Sequence, residues 1–351
     1  MTARVQRRTA MAALLLPCAT AWGKAKGSAH AKAHRATERP YGRRSDILRA
    51  ANAIAQEHEL ESAWVAGVLA QARFVAQVAQ LIMPGATPAA KNWFAYRARF
   101  VEPRRIDAGV QWWREHEPWL VRAEERYGVP CDIIVGIIGV ETFYGRITGT
   151  FRVVDALSTL SFDFPSGRSD RSPFFRSELG HFLKLAHREG WDPLAIKGSY
   201  AGAMGLPQFM PSSIVNYAID FDDDGRIDLA SSAADVAGSV ARFLSEHGWR
   251  RGMPTHYPIE PPANTLDRAL LLVPDIVPSF SPAQMVERGC SLSDAGLQHE
   301  GALALIELHN AEQPPSYVAG TQNFYALTRY NASSYYALSV VELGRAVAAA
   351  K

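Results

Sequence analysis

Three cysteines in 351 residues, Cys18, Cys131 and Cys290, are too few for a disulfide scaffold, and no histidine pattern accompanies them that would build a zinc site. Nowhere does the chain approach the ~20 successive apolar residues that a membrane-spanning helix requires. Internal repeats are missing as well. No single sign of charge dominates: 37 Lys and Arg against 35 Asp and Glu leave a formal +2. That balance is unevenly laid out. Residues 1–21 carry +3 and residues 22–44 carry +6, which leaves −7 for residues 45–351. An acidic body excludes a broad nucleic-acid surface, so no nucleic-acid partner is expected.

What is present begins with an export pattern. Arg7-Arg8 precede an apolar run from Ala10 to Leu16, and Ala19-Thr20-Ala21 supplies a small-residue cleavage site. Residues 1–21 are therefore expected to be a signal peptide that directs the chain to the periplasm. Cys18 raises an outer-membrane lipoprotein as the alternative, but Pro17 fits poorly where a lipobox needs a small residue. After cleavage Cys131 and Cys290 remain, and their pairing is left open. Residues 22–44, rich in Ala, Lys, Gly, His and Arg, read as a flexible basic linker suited to peripheral contact with an anionic wall or membrane.

Helical spacing of apolar residues runs from Asp46 to about Ile82, again from Ile106 to Tyr127, and from Asp132, a candidate N-cap, to Thr142. Further helices are expected at 173–189, 233–247 and 334–349. Residues 251–319 are punctuated by seven prolines between Pro254 and Pro282, and segments such as Ala269–Val273 read as short strands. The expected fold is mainly α: an N-terminal helical domain at 45–100, a helical core at 101–250 plus 320–351, and a small β-containing insertion at 251–319.

The most informative stretch is Ile133-Ile134-Val135-Gly136-Ile137-Ile138-Gly139-Val140-Glu141. A helix apolar on nearly every face must be buried on nearly every face. Gly136 and Gly139 each cost about 1 kcal/mol of helix propensity relative to Ala, which points to close packing. Glu141 then falls at the C-terminal end of that helix. Burial and the negative end of the helix dipole both disfavour its ionised form, as a general acid near neutral pH requires. On periodicity alone the position also fits a glutamate emerging into solvent.

The sequence around Glu141, Val140-Glu141-Thr142-Phe143-Tyr144-Gly145, is followed by Ser199-Tyr200-Ala201-Gly202-Ala203-Met204-Gly205, Gln208-Phe209-Met210-Pro211-Ser212-Ser213, and a later block from Asn323-Phe324-Tyr325 to Tyr335-Tyr336-Ala337. Together these resemble the family B lytic murein transglycosylases over roughly 93–250 and 320–349. The resemblance implies a lysozyme-like helical core in a monomer that acts on peptidoglycan glycan strands. It implies one catalytic glutamate, Glu141, with no catalytic cofactor. Glu141 would protonate the glycosidic oxygen between N-acetylmuramic acid and N-acetylglucosamine, then act as base on the muramic C6 hydroxyl to close a 1,6-anhydro ring. An intramolecular hydroxyl replaces water, so the carboxylate pair of an ordinary glycosidase is not needed. By the same resemblance Tyr96, Ser199, Gln208, Phe209, Tyr330, Asn331 and Tyr336 would line the glycan site, with Tyr200 and Arg171 as weaker candidates. Arg171 would meet a lactyl or peptide carboxylate. Phe243 stands where relatives carry a tyrosine, which removes a hydroxyl. Asp155 and Asp163 lie near enough in sequence to stay open as second acids. A peptidoglycan-binding scaffold without activity also stays open.

A second constellation, Asp220-Phe221-Asp222-Asp223-Asp224-Gly225-Arg226-Ile227-Asp228, fits the opening of an EF-hand loop. Oxygens alternate, Gly225 permits the sharp turn, and the carbonyl of Arg226 reaches the seventh position. Ser231 stands where a bidentate Glu would close the loop, and the resemblance points to the later Asp235 instead. Asp220, Asp222, Asp224, Arg226, Asp228 and Asp235 are the expected ligands of a structural calcium ion. A calcium-sensing interaction module is the alternative for this segment alone.

Overall fold

Wherever apolar residues recur at helical spacing in the first half of the chain, helices form. The structure, a computed structural model, describes residues 39–83 and 91–351. The expected signal peptide, and the expected linker as far as residue 38, lie outside the described residues. Residues 39–44, assigned to that linker by composition, are docked: Tyr41 is buried and its N–H bonds to the Ala72 carbonyl at 2.9 Å.

In chain order the helices are α1 (Ser45–His58), α2 (Ser62–Gln71), α3 (Ala76–Leu81), α4 (Trp93–Arg97), α5 (Pro103–Tyr127) and α6 (Cys131–Thr142), followed by strand β1 (Phe151–Arg152). Next come α7 (Val153–Phe162), α8 (Ser172–Arg188), β2 (Lys197–Gly198), α9 (Pro211–Tyr217) and α10 (Ala233–Glu246). The remainder is β3 (His256–Glu260), α11 (Thr265–Leu272), α12 (Pro282–Glu287), β4 (Ser291–Leu292), α13 (Asp294–Leu297), β5 (Ala304–Asn310), β6 (Gln313–Gly320), α14 (Gln322–Tyr330) and α15 (Ser334–Ala350). No helix among the described residues is long and apolar enough to cross a membrane.

Contacts divide the described chain into two units: a helical unit (39–83, 102–243 and 343–351) and a sheet unit (91–101 and 244–342). Residues 91–101 and 320–342 thus group with the strands. The expected division instead groups 91–100 with the N-terminal helices, and 101 and 320–342 with the core.

In the helical unit α5 starts on Pro103, whose missing N–H is no loss in a first turn, with the Glu102 carboxylate accepting from the Arg104 N–H at 2.9 Å. Pro118 cannot donate within the helix, and the backbone leaves helical geometry at His116. Gly128, left-handed at φ 71, ends it. The N-cap of α6 is Pro130 rather than Asp132. Proline's fixed φ with ψ at 147 places the extended residue there, and the Glu124 carboxylate accepts from the Cys131 N–H at 2.9 Å. Asp132 falls in the first turn. Every residue of α6 except Asp132 and Glu141 is buried, which is what its unbroken apolar run requires.

The sheet unit holds four antiparallel strands in the order β4-β3-β6-β5. Leu271, Met285, Leu303, Leu305 and Ala319 form its core. The segment Ala269–Val273, read from sequence as a strand, is mostly helix α11 instead. The Asn264 side chain caps it by accepting from the N–H groups of Leu266 and Asp267, so a local cap overrides the strand reading of the leucine run. α4 joins this unit through a bridge between Asn92 and Asn310. Cys131 in one unit and Cys290 in the other are both buried free thiols, and burial pushes the Cys290 thiol up to about 11.

Candidate active site and its acidic loop

Glu141 sits half-buried in the last turn of α6, between fully enclosed Val140 and Thr142. The three residues that follow the helix, Phe143, Tyr144 and Gly145, all take positive φ, at 52, 56 and 85. Two of them are not glycine. A left-handed non-glycine residue costs roughly 1–2 kcal/mol, so the surrounding packing must impose this turn. Arg105 from α5 donates to the Gly139 carbonyl at 2.5 Å, where a cation complements the negative helix end. Its guanidinium lies 4.5 Å from the centre of the Phe143 ring, and that of Arg146 lies 4.8 Å from it.

Thr142 ties this turn to the second motif block. Its hydroxyl donates to the Leu206 carbonyl at 2.9 Å and accepts from the Gly145 N–H at 3.1 Å. Gln208, itself at φ 51, donates to the carbonyls of Thr148 at 3.2 Å and Gly205 at 2.8 Å. The Ser199 hydroxyl accepts from the N–H groups of Ala201 and Ala203, closing its own turn. Phe209 is 2% exposed and packs on Phe243 at 5.5 Å, and Tyr217 meets Phe243 at 5.0 Å. Phe243 is therefore a member of a buried aromatic group. Arg171 leads into α8 with its guanidinium over Phe174 and Phe175, and burial, then Arg168, lowers its pKa.

Of the candidate glycan residues, Arg171, Ser199, Tyr200, Gln208 and Phe209 share the helical unit with Glu141, while Tyr96, Tyr330, Asn331 and Tyr336 belong to the sheet unit. There Tyr96 meets Phe100 at 5.3 Å and Tyr335 at 5.6 Å, and Tyr330 stacks on Tyr336 at 6.2 Å. Asn331 caps the end of α14 and is 7% exposed.

The nearby acids in sequence are committed elsewhere. Asp155, 5% exposed, pairs with Arg152 at 3.1 Å and accepts from the Arg73 N–H at 2.9 Å, and Asp163 pairs with Arg44 at 3.1 Å. Glu178, unremarked in the sequence, is 3% exposed and accepts from the Ser212 N–H and hydroxyl, and burial raises its pKa. It opens α9.

The acidic loop also lies in the helical unit. Carboxylate oxygens of Asp220, Asp222 and Asp235 lie within 4.8 Å of one another. Asp235, 1% exposed, accepts from the N–H groups of Phe221 and Asp228, both at 2.7 Å, and burial, followed by the charges of Asp222 and Asp220, raises its pKa. Asp222 has one oxygen accepting from Ser232 at 3.1 Å and the other buried without a hydrogen-bond partner. Asp224 accepts from the Arg226 N–H, and Asp228 from Ala230, Ser231 and the Ser231 hydroxyl, so these two are engaged in local turns. Phe221 anchors the loop: it is fully buried, against Gly238, with Arg122 over its ring at 4.7 Å. A cavity of about 430 Å³ opens beside the loop, lined in part by His116, Trp119, Asp222 and Asp224.

The chain that carries this helix end and this loop has relatives among known proteins. Residues 43–345 match the model of the Transglycosylase SLT domain family. The chain belongs to that family. It is 41% identical over 260 residues, 74% of this chain and 68% of the relative, to membrane-bound lytic murein transglycosylase B of Escherichia coli (strain K12). Among solved structures it is similar to the Escherichia coli lytic transglycosylase SLT35 in complex with calcium, at 36% identity, with 90% of this chain and 97% of that one covered and a TM-score of 0.77. The soluble lytic transglycosylase SltB1 from Pseudomonas aeruginosa matches at 38% identity, covering 87% and 99%, with a TM-score of 0.78. Membership in the SLT family makes the chain an enzyme, a lytic transglycosylase of mainly helical, lysozyme-like fold.

Sequence reasoning missed Thr142, Tyr144 and Arg105. The first two stand inside the first motif block, so only their roles were hidden. Arg105 carried no local signal.

Proposed function

We propose that this lytic transglycosylase cuts the β-1,4 bond between N-acetylmuramic acid and N-acetylglucosamine in peptidoglycan with Glu141 as its acid and base. The carrying observation is the placement of Glu141 at the end of an enclosed helix while Asp155 and Asp163 are held in ion pairs. Glu141, protonated, gives its proton to the bridging oxygen as the bond to the muramic C1 breaks. The C6 hydroxyl of the same sugar then attacks C1 and its proton passes to Glu141. The product ends in 1,6-anhydromuramic acid and the enzyme regains its starting state without water or a second carboxylate. Purified sacculi digested with the protein should release fragments one water lighter than those of a hydrolase. Ordinary reducing ends would refute the assignment, and no release at all would favour a binding scaffold.

Ser199, Tyr200, Gln208, Phe209, Arg171, Tyr96, Tyr330, Asn331 and Tyr336 are assigned to glycan recognition. Amide, hydroxyl and aromatic groups suit a sugar's hydroxyls and apolar ring faces. For the acidic loop, the buried unpartnered oxygen of Asp222 and the gathered carboxylates of Asp220 and Asp235 suit a hard cation with oxygen ligands. The SLT35 structure holds calcium. We assign calcium here as a structural staple held by Asp220, Asp222 and Asp235. The Arg226 carbonyl would complete it, with Asp224 and Asp228 once their local bonds are exchanged, and the ion would neutralise the cluster's charge. Residues 1–21, as an export signal, would carry the enzyme to the periplasm, and the basic charge of the 22–44 linker suits peripheral contact with an anionic wall or membrane.

A further inference from the structure

We infer that Tyr144 is a positioning residue for Glu141, seated in a slot that exists because positions 109 and 139 are glycine. The inference rests on the assignment of Glu141 as the catalytic acid. Tyr144 stands two residues beyond the end of α6, in the left-handed turn, yet its ring reaches back between α5 and α6. A Cβ built on Gly109 of α5 or on Gly139 of α6 would lie under 3.0 Å from both the hydroxyl and Cζ of Tyr144. Two glycines on different helices thus vacate one volume, and a single ring end fills it. The ring also stacks on Trp112 of α5 at 6.2 Å and 27°.

The hydroxyl is buried without a hydrogen-bond partner. Packing, including the Trp112 stack, therefore seats the ring, with no protein hydrogen bond to the hydroxyl. The consequence for Glu141 is geometric. Phe143 and Tyr144 occupy backbone conformations that they would leave if free, and the seated ring prevents it. The helix end, closed by the Phe143 N–H on the Gly139 carbonyl at 3.2 Å and the Tyr144 N–H on the Ile138 carbonyl at 3.3 Å, then fixes where residue 141 points. A displacement of about 1 Å in a catalytic group costs on the order of 100-fold in rate.

The test compares turnover and KM on purified sacculi, with melting temperature, for the wild type, Tyr144→Phe, Tyr144→Ala, Val347→Ala and the double variant Gly109→Ala/Val347→Ala. The double variant fills the slot from the α5 side and removes the Val347 methyl that also crowds position 109. Alanine favours a helix over glycine, so any loss there runs against intrinsic propensity. Tyr144→Ala and the double variant are expected to lower turnover about 100-fold with KM within about twofold. Tyr144→Phe and Val347→Ala should keep it within about threefold. The inference is overturned if folded Tyr144→Ala turns over like the wild type, or if Tyr144→Phe loses as much as Tyr144→Ala. Should Tyr144→Ala not fold, the double variant decides: wild-type turnover in it overturns the inference and a selective loss supports it. Glu141→Gln, run alongside, separates the two readings. Activity retained there removes the assignment of Glu141 and this inference with it, whereas loss there with activity kept in Tyr144→Ala removes the inference alone.

Discussion

Two acid-bearing turns of the helical unit solve opposite problems. At the end of α6 one carboxylate is delivered by apolar and aromatic packing, with the backbone strained around it. In the 220–235 loop several carboxylates are gathered, and backbone N–H groups are aimed at them: Phe221 and Asp228 at Asp235, Asp224 and Gly225 at Asp220. Packing that fixes direction suits a group that must exchange protons with a substrate. Donated hydrogen bonds that hold several oxygens close together suit a cluster that would receive a hard cation.

The sharpest break in this comparison is Glu141→Gln, which should lower sacculus digestion by about 1,000-fold or more while leaving calcium binding at the loop intact. Calorimetric titration with calcium and product release read the two turns separately. Next in size is Phe221→Ala. Removing a fully buried ring costs about 3–5 kcal/mol, so the melting temperature should fall by about 6 °C or more, with calcium affinity reduced. Calcium itself should raise the wild-type melting temperature: at a hundred times its dissociation constant, binding contributes about 2.7 kcal/mol. Asp222→Ala should abolish that rise and leave turnover of the folded enzyme within about threefold. A calcium rise that persists in Asp222→Ala would remove this residue from the cation site.

The smallest effect lies away from both turns and calibrates them. His58 on α1 is 8% exposed, against Gly180 and with the His181 ring at 5.1 Å. Burial, then the neighbouring imidazole, holds its pKa below the ordinary value. The folded state therefore binds this proton less readily than the unfolded chain, and stability present above about pH 6.5 is lost as the pH falls through that region. His58→Gln should flatten the drop in melting temperature between pH 7.5 and 5.5 by about 2 °C, measured by scanning fluorimetry.

Much of this was readable beforehand. The apolar run predicted an enclosed helix with Glu141 at its end, and the alternating aspartates marked the loop. Gly139 was read as a close-packing position, and Tyr144 and Leu343 are what it packs against. The partner was not readable, because Gly109 lies 30 residues upstream on another helix and nothing local marks it. The α11 leucines misled for a related reason: a short apolar run fits strand or helix, and the Asn264 cap decides. Ser199 shows a further limit, since its turn-closing bonds and a sugar-binding role call for the same residue type.

The seat around the Glu141 turn carries a consequence for synthesis. Gly139 also lies against Leu343, Gly109 against Val347, and Gly344 against the Asp132 backbone. The helix bearing Glu141 is thus wrapped by the last turns of α15, made some 200 residues later. A chain whose synthesis stops before those turns leaves Gly139 and the Asp132 backbone without partners that pack against them here.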